Sequence, residues 1–489
     1  MTRELARGGH WIGGVWQDAE PAAENRNPAT GEVVGLIPDG GAEAAEAGIA
    51  AAHHAFRQEA WSRSPRLRAA ALLEAADRLT AVKAELSELL RQETGKLAAV
   101  ATIEIDAMAS EFRYYAGLCR AIFGRTLEVE PGVTALLTRE PAGVAAVMVP
   151  WNAPGILLAR SLAPALAAGC TVVTKSAAQS SLFHQAVMQA LSKVDALGGG
   201  VLNSFAECGS AGAEALVGSP RVDVLSFTGS TPVGKAIMRG AADTVKRLNL
   251  ELGGKAAAIV LPDADPSAIA PQLLRAGLIL SGQQCTALDR VLVPEGAYQQ
   301  AIDALRLAVR TTKCGLPDDP ATVLGPLIDR KARDRVHDLV QRTADRGLAP
   351  HVGRIPDGEL AAGAFIEPSI LAVDDLDDPI VQEEFFGPVV NIERYSSLSE
   401  AIEKANATRF GLAASVWSSD AAAARKVARE LRAGTVWIND HNKLFPEAET
   451  GGFRESGFGR LHGAEGLSEF LSTKHIYEPY GTIDRLDAG

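Results

Sequence analysis

Side chains whose types and spacing could do chemistry fall into five short clusters in this chain. Pro150-Trp151-Asn152 brings a side-chain amide directly after an apolar run, and Lys175 follows a second run. Gly229-Ser230-Thr231-Pro232-Val233-Gly234 joins a third run to a helical pattern, Glu251-Leu252-Gly253-Gly254-Lys255 follows a fourth, and Gly282-Gln283-Gln284-Cys285 closes a helical stretch. A thiol can attack an electrophilic carbon once deprotonated, and a carboxylate on a separate loop end can serve as its base or as the base for a water. Glycines opening a helix leave N–H groups free, which suits a pyrophosphate. Each cluster alone has a plainer reading. The Cys can be inert core, Ser230 an N-cap, Lys175 a lysine whose stem packs on the sheet, and the Glu a solvated charge. Occurring together at strand ends, they read as one site.

The elements that must position these clusters are legible as a change of period. Residues 65–120 are Ala- and Leu-rich with charges at helical spacing, and the Gly- and Pro-marked stretch from Gly124 to Pro141 predicts a β-hairpin arm. From Gly143 the pattern becomes strand, turn, helix. Apolar runs at 143–149, 170–174, 201–205, 223–228 and 247–252 have no alternation, as expected of a parallel sheet covered on both faces. A second alternation runs through 256–261, 290–293, a charged helix at 329–345, then 388–395 and 434–440. Ligands of such sheets bind beyond the carboxyl ends of the strands, where all five clusters fall. The only near match to the G-x-G-x-x-G fingerprint, Gly457 to Gly463 with one residue too many before its last glycine, follows no readable strand and is set aside.

Composition excludes several classes. With 48 Lys plus Arg against 60 Asp plus Glu the net charge is −12, which disfavours a nucleic-acid surface. Five scattered cysteines (Cys119, Cys170, Cys208, Cys285 and Cys314) make neither a disulfide framework nor a thiolate metal site, so no metal is expected and the default compartment is the reducing cytoplasm. The uncharged run from Ala142 to Ala159 nearly reaches spanning length, but Pro150, Asn152, Pro154 and Gly155 at its centre favour strand, turn and helix over a membrane span.

The motifs PWN, FTGS, ELGGK, GQxC, EEFFGPVV and GGFRESGFGR, in this order, strongly resemble the aldehyde dehydrogenase superfamily, from about Gly14 to Tyr480. The resemblance implies an α/β, three-domain fold. A Rossmann-like cofactor domain (1–123 and 142–253) joins an α/β catalytic domain (254–465) and a small β oligomerisation arm (124–141 and 466–489). It implies NAD- and/or NADP-dependent oxidation of a small-molecule aldehyde by a homodimer or homotetramer, with no nucleic-acid or membrane partner. By matching position, Cys285 is the nucleophile, Glu251 the base for the deacylating water, and Asn152 the oxyanion donor. The cofactor would be met by Val149, Pro150, Trp151, Lys175 and Ala178. Gly229, Ser230 and Val233 would line its pyrophosphate, Glu384 and Phe386 would position its nicotinamide ribose and ring, and Gly209 and Leu252 would also meet the cofactor. The substrate tunnel would draw on Arg160, Ala153, Glu111, Gln284, Thr286, Leu444 and Thr450.

Departures from the family pattern bear on specificity. After the second strand the family commonly reads K-P-x-E, its Glu taking the adenosine ribose hydroxyls; here Lys175 is followed by Ser176-Ala177-Ala178. Loss of that carboxylate predicts use of NADP as well as NAD. The family's Pro-Phe-Gly-Gly is Glu449-Thr450-Gly451-Gly452, and its aromatic after PWN is Ala153, which opens the tunnel or changes its polarity. Arg160 lies in PGILLARSLAPALAAG, where a guanidinium cannot be left unpaired. It would either hold a substrate carboxylate or aromatic ring, or pair with a protein acid, Glu111, Glu447 or Glu449 being candidates. The expected substrate is a mid-sized polar or aromatic aldehyde, with an acid semialdehyde of the succinate semialdehyde kind as the alternative. A CoA-acylating enzyme would lack the base at Glu251, and an inactive binding or structural protein would not keep nucleophile, base and amide together.

Overall fold

The computed structural model describes residues 6–482; the outermost parts of the sequence-derived domain ranges, 1–5 and 483–489, lie outside the described residues. Five parallel strands form the heart of an eight-stranded sheet. Across the sheet the order is Gly457–Phe458, Arg247–Glu251, Val224–Thr228, Val144–Met148, Thr171–Ser176, Leu202–Ala206, Gly9–Ile12 and Val15–Asp18. From Val144–Met148 the chain builds outward first on one side and then on the other, so the direction of winding switches beside this strand. That is the crevice where doubly wound sheets take a ligand. The edges are antiparallel additions, an N-terminal hairpin on one side and Gly457–Phe458 on the other.

A second sheet of six strands is parallel throughout, in the order Ser369–Leu371, Val389–Tyr395, Leu288–Pro294, Ala256–Val260, Ala413–Trp417, Thr435–Ile438. The strands Ala256–Val260 and Ala413–Trp417 are buried along their whole length, which explains the unbroken apolar run of the first. The arm Arg125–Glu130 and Val133–Pro141 is joined by Leu471–Pro479, which pairs antiparallel with all nine residues of the second arm strand. Helices Pro65–Ala81, Lys83–Thr94 and Ala98–Leu118 fill the helical region, and none in the described chain is long and apolar enough to cross a membrane.

Several strands carry no readable signal in the sequence. Pro21–Arg26 is exposed at all but one position and therefore has no apolar period, and Ser369–Leu371 is three residues long. Three of the five residues of Ala413–Trp417 are alanine or serine, of weak β preference, and the strand is set by its neighbours in the sheet.

Candidate active site

Asn152 lies in the turn between the strand Val144–Met148 and the helix Pro154–Ala168, and its Nδ2 donates to the Gln283 carbonyl at 2.9 Å. The amide is thereby pinned two residues from Cys285. The helix that follows has no capping side chain of its own. Its first amides are met instead by Glu104, whose Oε1 accepts from Gly155 N (2.7 Å) and which is paired in the interior with Lys96. A buried carboxylate at a helix start offsets both the orphan N–H groups and the helix dipole.

Cys285 is presented by a strained turn. Leu280, Ser281 and Gly282 all have positive φ (49°, 58° and 75°), and a Cβ on Gly282 would come within 2.1 Å of the Gly387 carbonyl. Gly254 is required for a similar reason: its Cβ would lie 2.3 Å from the Cys285 carbonyl. The second glycine of ELGGK thus lets the strand carrying the carboxylate approach the loop carrying the thiol. Burial pushes the Cys285 thiol up to about 12, against the opposing pull of the Arg160 guanidinium.

Glu251 ends its strand with 3% exposure, and burial raises its pKa, opposed by Arg160 and then His462 and Arg460. Arg160 is also buried. Its Nη2 lies 3.7 Å from Glu251 Oε2 and donates to Thr228 Oγ1 at 3.3 Å, while its Nε and Glu251 Oε1 have no protein partner. The acid beside Arg160 is therefore the candidate base itself and none of the three expected from sequence. Glu111 instead bonds His462 Nδ1, Glu449 accepts the Glu465 N–H, and Glu447 is exposed. The partner was hidden because Glu251 and Arg160 stand 91 positions apart and meet only across the sheet.

Gln284 Nε2 and Thr286 Oγ1 both donate to Asn442 Oδ1, at 2.8 and 2.5 Å. His441 Nε2 donates to the Thr286 carbonyl at 2.7 Å, so its Nδ1 is left to accept from Ser415, and burial lowers its pKa to about 4. Asn442 and His441 were not found from the sequence, because their loop has no recognisable spacing to the thiol. Leu444 is exposed, Ala153 precedes the helix, and Thr450 is buried beside Leu461 with an unpartnered hydroxyl. A cavity of about 300 Å³ opens beside Asn152, bounded by Trp151, Leu97, Val100, Leu280 and Val323.

The residues expected to meet a nicotinamide dinucleotide lie along the same strand ends. Val149 and Pro150 lead into Trp151, whose ring packs edge-on to Phe386 at 5.7 Å. Phe386 itself has φ 51°, and Glu384 beside it accepts the Gly254 N–H at 3.3 Å while burial raises its pKa to about 8. Ser230 occupies the N-cap of the helix Thr231–Ala241, but its side chain makes no capping bond, and Val233 in the first turn is 47% exposed. An open first turn with orphan amides fits a pyrophosphate. Leu252 packs under Gly234, Gly209 sits in an exposed loop, and Ala178 starts a short turn after Lys175. The first residues of the discounted glycine run, Gly457 and Phe458, pair antiparallel with the strand that ends at Glu251. Among the described residues no group of His, Cys, Asp or Glu could hold a metal ion.

A doubly wound sheet with a dinucleotide crevice, and a thiol, a carboxylate and an amide gathered beyond its strand ends, is the architecture of a nicotinamide-dependent oxidoreductase. Residues 16–476 match the aldehyde dehydrogenase family, and the chain belongs to that family as an NAD(P)-dependent aldehyde dehydrogenase. It is 37% identical to a betaine aldehyde dehydrogenase of Bacillus subtilis over 98% of this chain and 97% of that one. It is 35% identical to a phenylacetaldehyde dehydrogenase of Pseudomonas fluorescens, over 96% and 95% of the two chains. Betaine aldehyde dehydrogenase from Staphylococcus aureus in complex with NAD+ superposes with a TM-score of 0.94 at 34% identity, covering 99% of this chain and 97% of that chain.

Proposed function

We propose that this enzyme oxidises a mid-sized polar or aromatic aldehyde to its carboxylic acid through Cys285. The observation that carries the reading is the buried Arg160 beside Glu251 with an unpartnered Nε, a donor in an otherwise apolar helix. Such a donor costs free energy unless something accepts from it, and a substrate carboxylate, hydroxyl or ring face would do so.

In the proposed reaction Glu251 takes the Cys285 thiol proton and the sulfur attacks the aldehyde carbon. The oxygen becomes an alkoxide facing Asn152 Nδ2 and the Cys285 N–H, and these two donors hold its developing charge. NAD(P), when bound, accepts the hydride whose loss turns this adduct into a thioester. Glu251, after returning its proton to solvent, deprotonates a water that attacks the acyl carbon; the C–S bond breaks and the thiolate leaves. Lys175, Val233 and Glu384 would hold the cofactor's adenosine ribose, pyrophosphate and nicotinamide ribose. A raised thiol pKa means that the resting nucleophile is neutral, so the proton step belongs to the reaction.

Residues 1–123 and 142–253 would form the cofactor-binding unit, 254–465 the catalytic unit, and the arm with the C-terminal strand the oligomer contact. Supporting the last assignment, Arg125–Glu130 is an exposed edge strand carrying Leu127 and Val129, with Tyr477 exposed on Leu471–Pro479. On this reading the enzyme is a cytoplasmic homodimer or homotetramer. The substrate assignment is tested by comparing wild type with Arg160→Leu on an acid semialdehyde, benzaldehyde and hexanal. Compared on the pH plateau above the acid limb of each enzyme, the acid or aromatic substrate should lose several-fold in kcat/KM relative to hexanal; equal losses on all three would make Arg160 structural only.

A further inference from the structure

Lys175 and Glu207 stand at the carboxyl ends of neighbouring parallel strands, where Lys175 is in register with Phe205 and Ser176 with Ala206. The Glu207 side chain is fully buried. Its Oε2 accepts from Gly212 N at 2.7 Å and its Oε1 from Ala213 N at 3.0 Å, the first turn of the helix Ala211–Gly218. Oε1 also lies 3.4 Å from Lys175 Nζ. Lys175 is the open member of the pair, its side chain 18% exposed. A second carboxylate, Asp39, accepts the N–H of Cys208 at 3.4 Å on the same loop.

Resting on the cofactor reading above, in which Lys175 meets the adenosine ribose, we propose that Glu207 supplies from the neighbouring strand the carboxylate that Ala178 lacks, and so selects NAD over NADP. A ribose diol is neutral and can share Lys175 with Glu207. A 2′-phosphate would bring about −1.5 to −2 charges, as phosphate monoesters carry at neutral pH, against a carboxylate that cannot swing away because two helix amides anchor it. The lysine that would otherwise pair with that phosphate already faces Glu207. Like-charge repulsion of this kind discriminates by penalising the wrong ligand, not by gripping the right one more tightly. Residue 178 alone led to an expectation of NADP use alongside NAD; on the present proposal the pairing with Glu207 favours NAD instead.

The test is calorimetric titration of the full-length enzyme with NAD and NADP, in parallel with 5′-AMP and adenosine 2′,5′-bisphosphate, in wild type, Glu207→Gln, and Glu207→Gln with Lys175→Met. Wild type should bind the 2′-phosphorylated ligands at least tenfold more weakly than their partners. Glu207→Gln, which keeps an acceptor for one helix amide, should narrow that ratio at least fivefold by tightening NADP, and the added Lys175→Met should remove the gain. Wild type binding both members of each pair equally would overturn the proposal without any variant. So would an unchanged ratio in Glu207→Gln of wild-type melting temperature. Binding of none of the four ligands would instead remove the cofactor site itself, and the proposal with it.

Discussion

Removing the positive charge from Arg160 should move the acid limb of the rate profile to higher pH. Arg160 Nη2 and Glu251 Oε2 are 3.7 Å apart, both groups are buried, and Arg160 is the largest influence opposing the rise that burial imposes on Glu251. At an effective dielectric constant of roughly 20, two unit charges at that distance attract by about 4 kcal/mol. At about 1.4 kcal/mol per pH unit, this sets an upper limit near three units. The guanidinium charge is spread over several atoms and the contact is not a direct hydrogen bond, so a shift of at least about one unit is the working figure. The sign follows from the charge. Without its cation the carboxylate is harder to form, so Glu251 stays protonated to higher pH and fails as a base there. The assay is kcat against pH from 5.5 to 10 for wild type, Arg160→Met and Arg160→Lys, with a saturating aliphatic aldehyde to set substrate recognition aside. Arg160→Lys should retain most of the wild-type limb. An Arg160→Met profile that overlays wild type on the acid side would refute the coupling.

Cys285→Ala should abolish aldehyde oxidation while leaving nucleotide binding by calorimetry intact, since no adduct can form without the sulfur; residual turnover near wild type would remove the mechanism. Glu251→Gln should slow both acylation and deacylation, since the same carboxylate takes the thiol proton and then the water proton; stopped-flow single turnover and the steady state should both fall, and an unchanged steady state would place proton transfer elsewhere. His184 is buried against Thr174 and Ser204, and burial lowers its pKa to about 4. Between pH 6.5 and about 4 the unfolded chain binds the proton more readily than the folded one, so stability present above that window is lost as pH falls, by up to about 3 kcal/mol. His184→Gln should flatten melting temperature against pH in this range, and parallel curves would count against it. Leu127→Asp with Val129→Asp should lower the mass seen by light scattering to that of a single chain, whereas an intact oligomer would move the contact away from the arm.

The period change at Gly143, the two alternating series and the five clusters were all readable because they rest on local rules. A strand buried on both faces must be continuously apolar, and a ligand turn must follow it. Glu251 and Asn152 were singled out at such strand ends and Cys285 at the close of a helical stretch, their roles being what the family resemblance implies, and Gly254 lets the strand and loop that carry Glu251 and Cys285 approach. The strands Val15–Asp18 and Pro21–Arg26 escaped because they are short and face water, where no apolar alternation is needed.

What the sequence determined by itself is the inventory: which chemical groups exist, and at which strand end, helix end or helix each one stands. Pairing between those groups was decided only by the tertiary structure. Arg160 took Glu251, Glu111 took His462, Glu104 capped a helix more than forty residues away, and Glu207 reached Lys175 from the next strand. The reason is that a buried charge takes whichever opposite charge or amide the packing brings within a few ångströms, and separation along the chain does not enter that energy. Residue type says that a partner must exist; only the arrangement of the strands says which one it is.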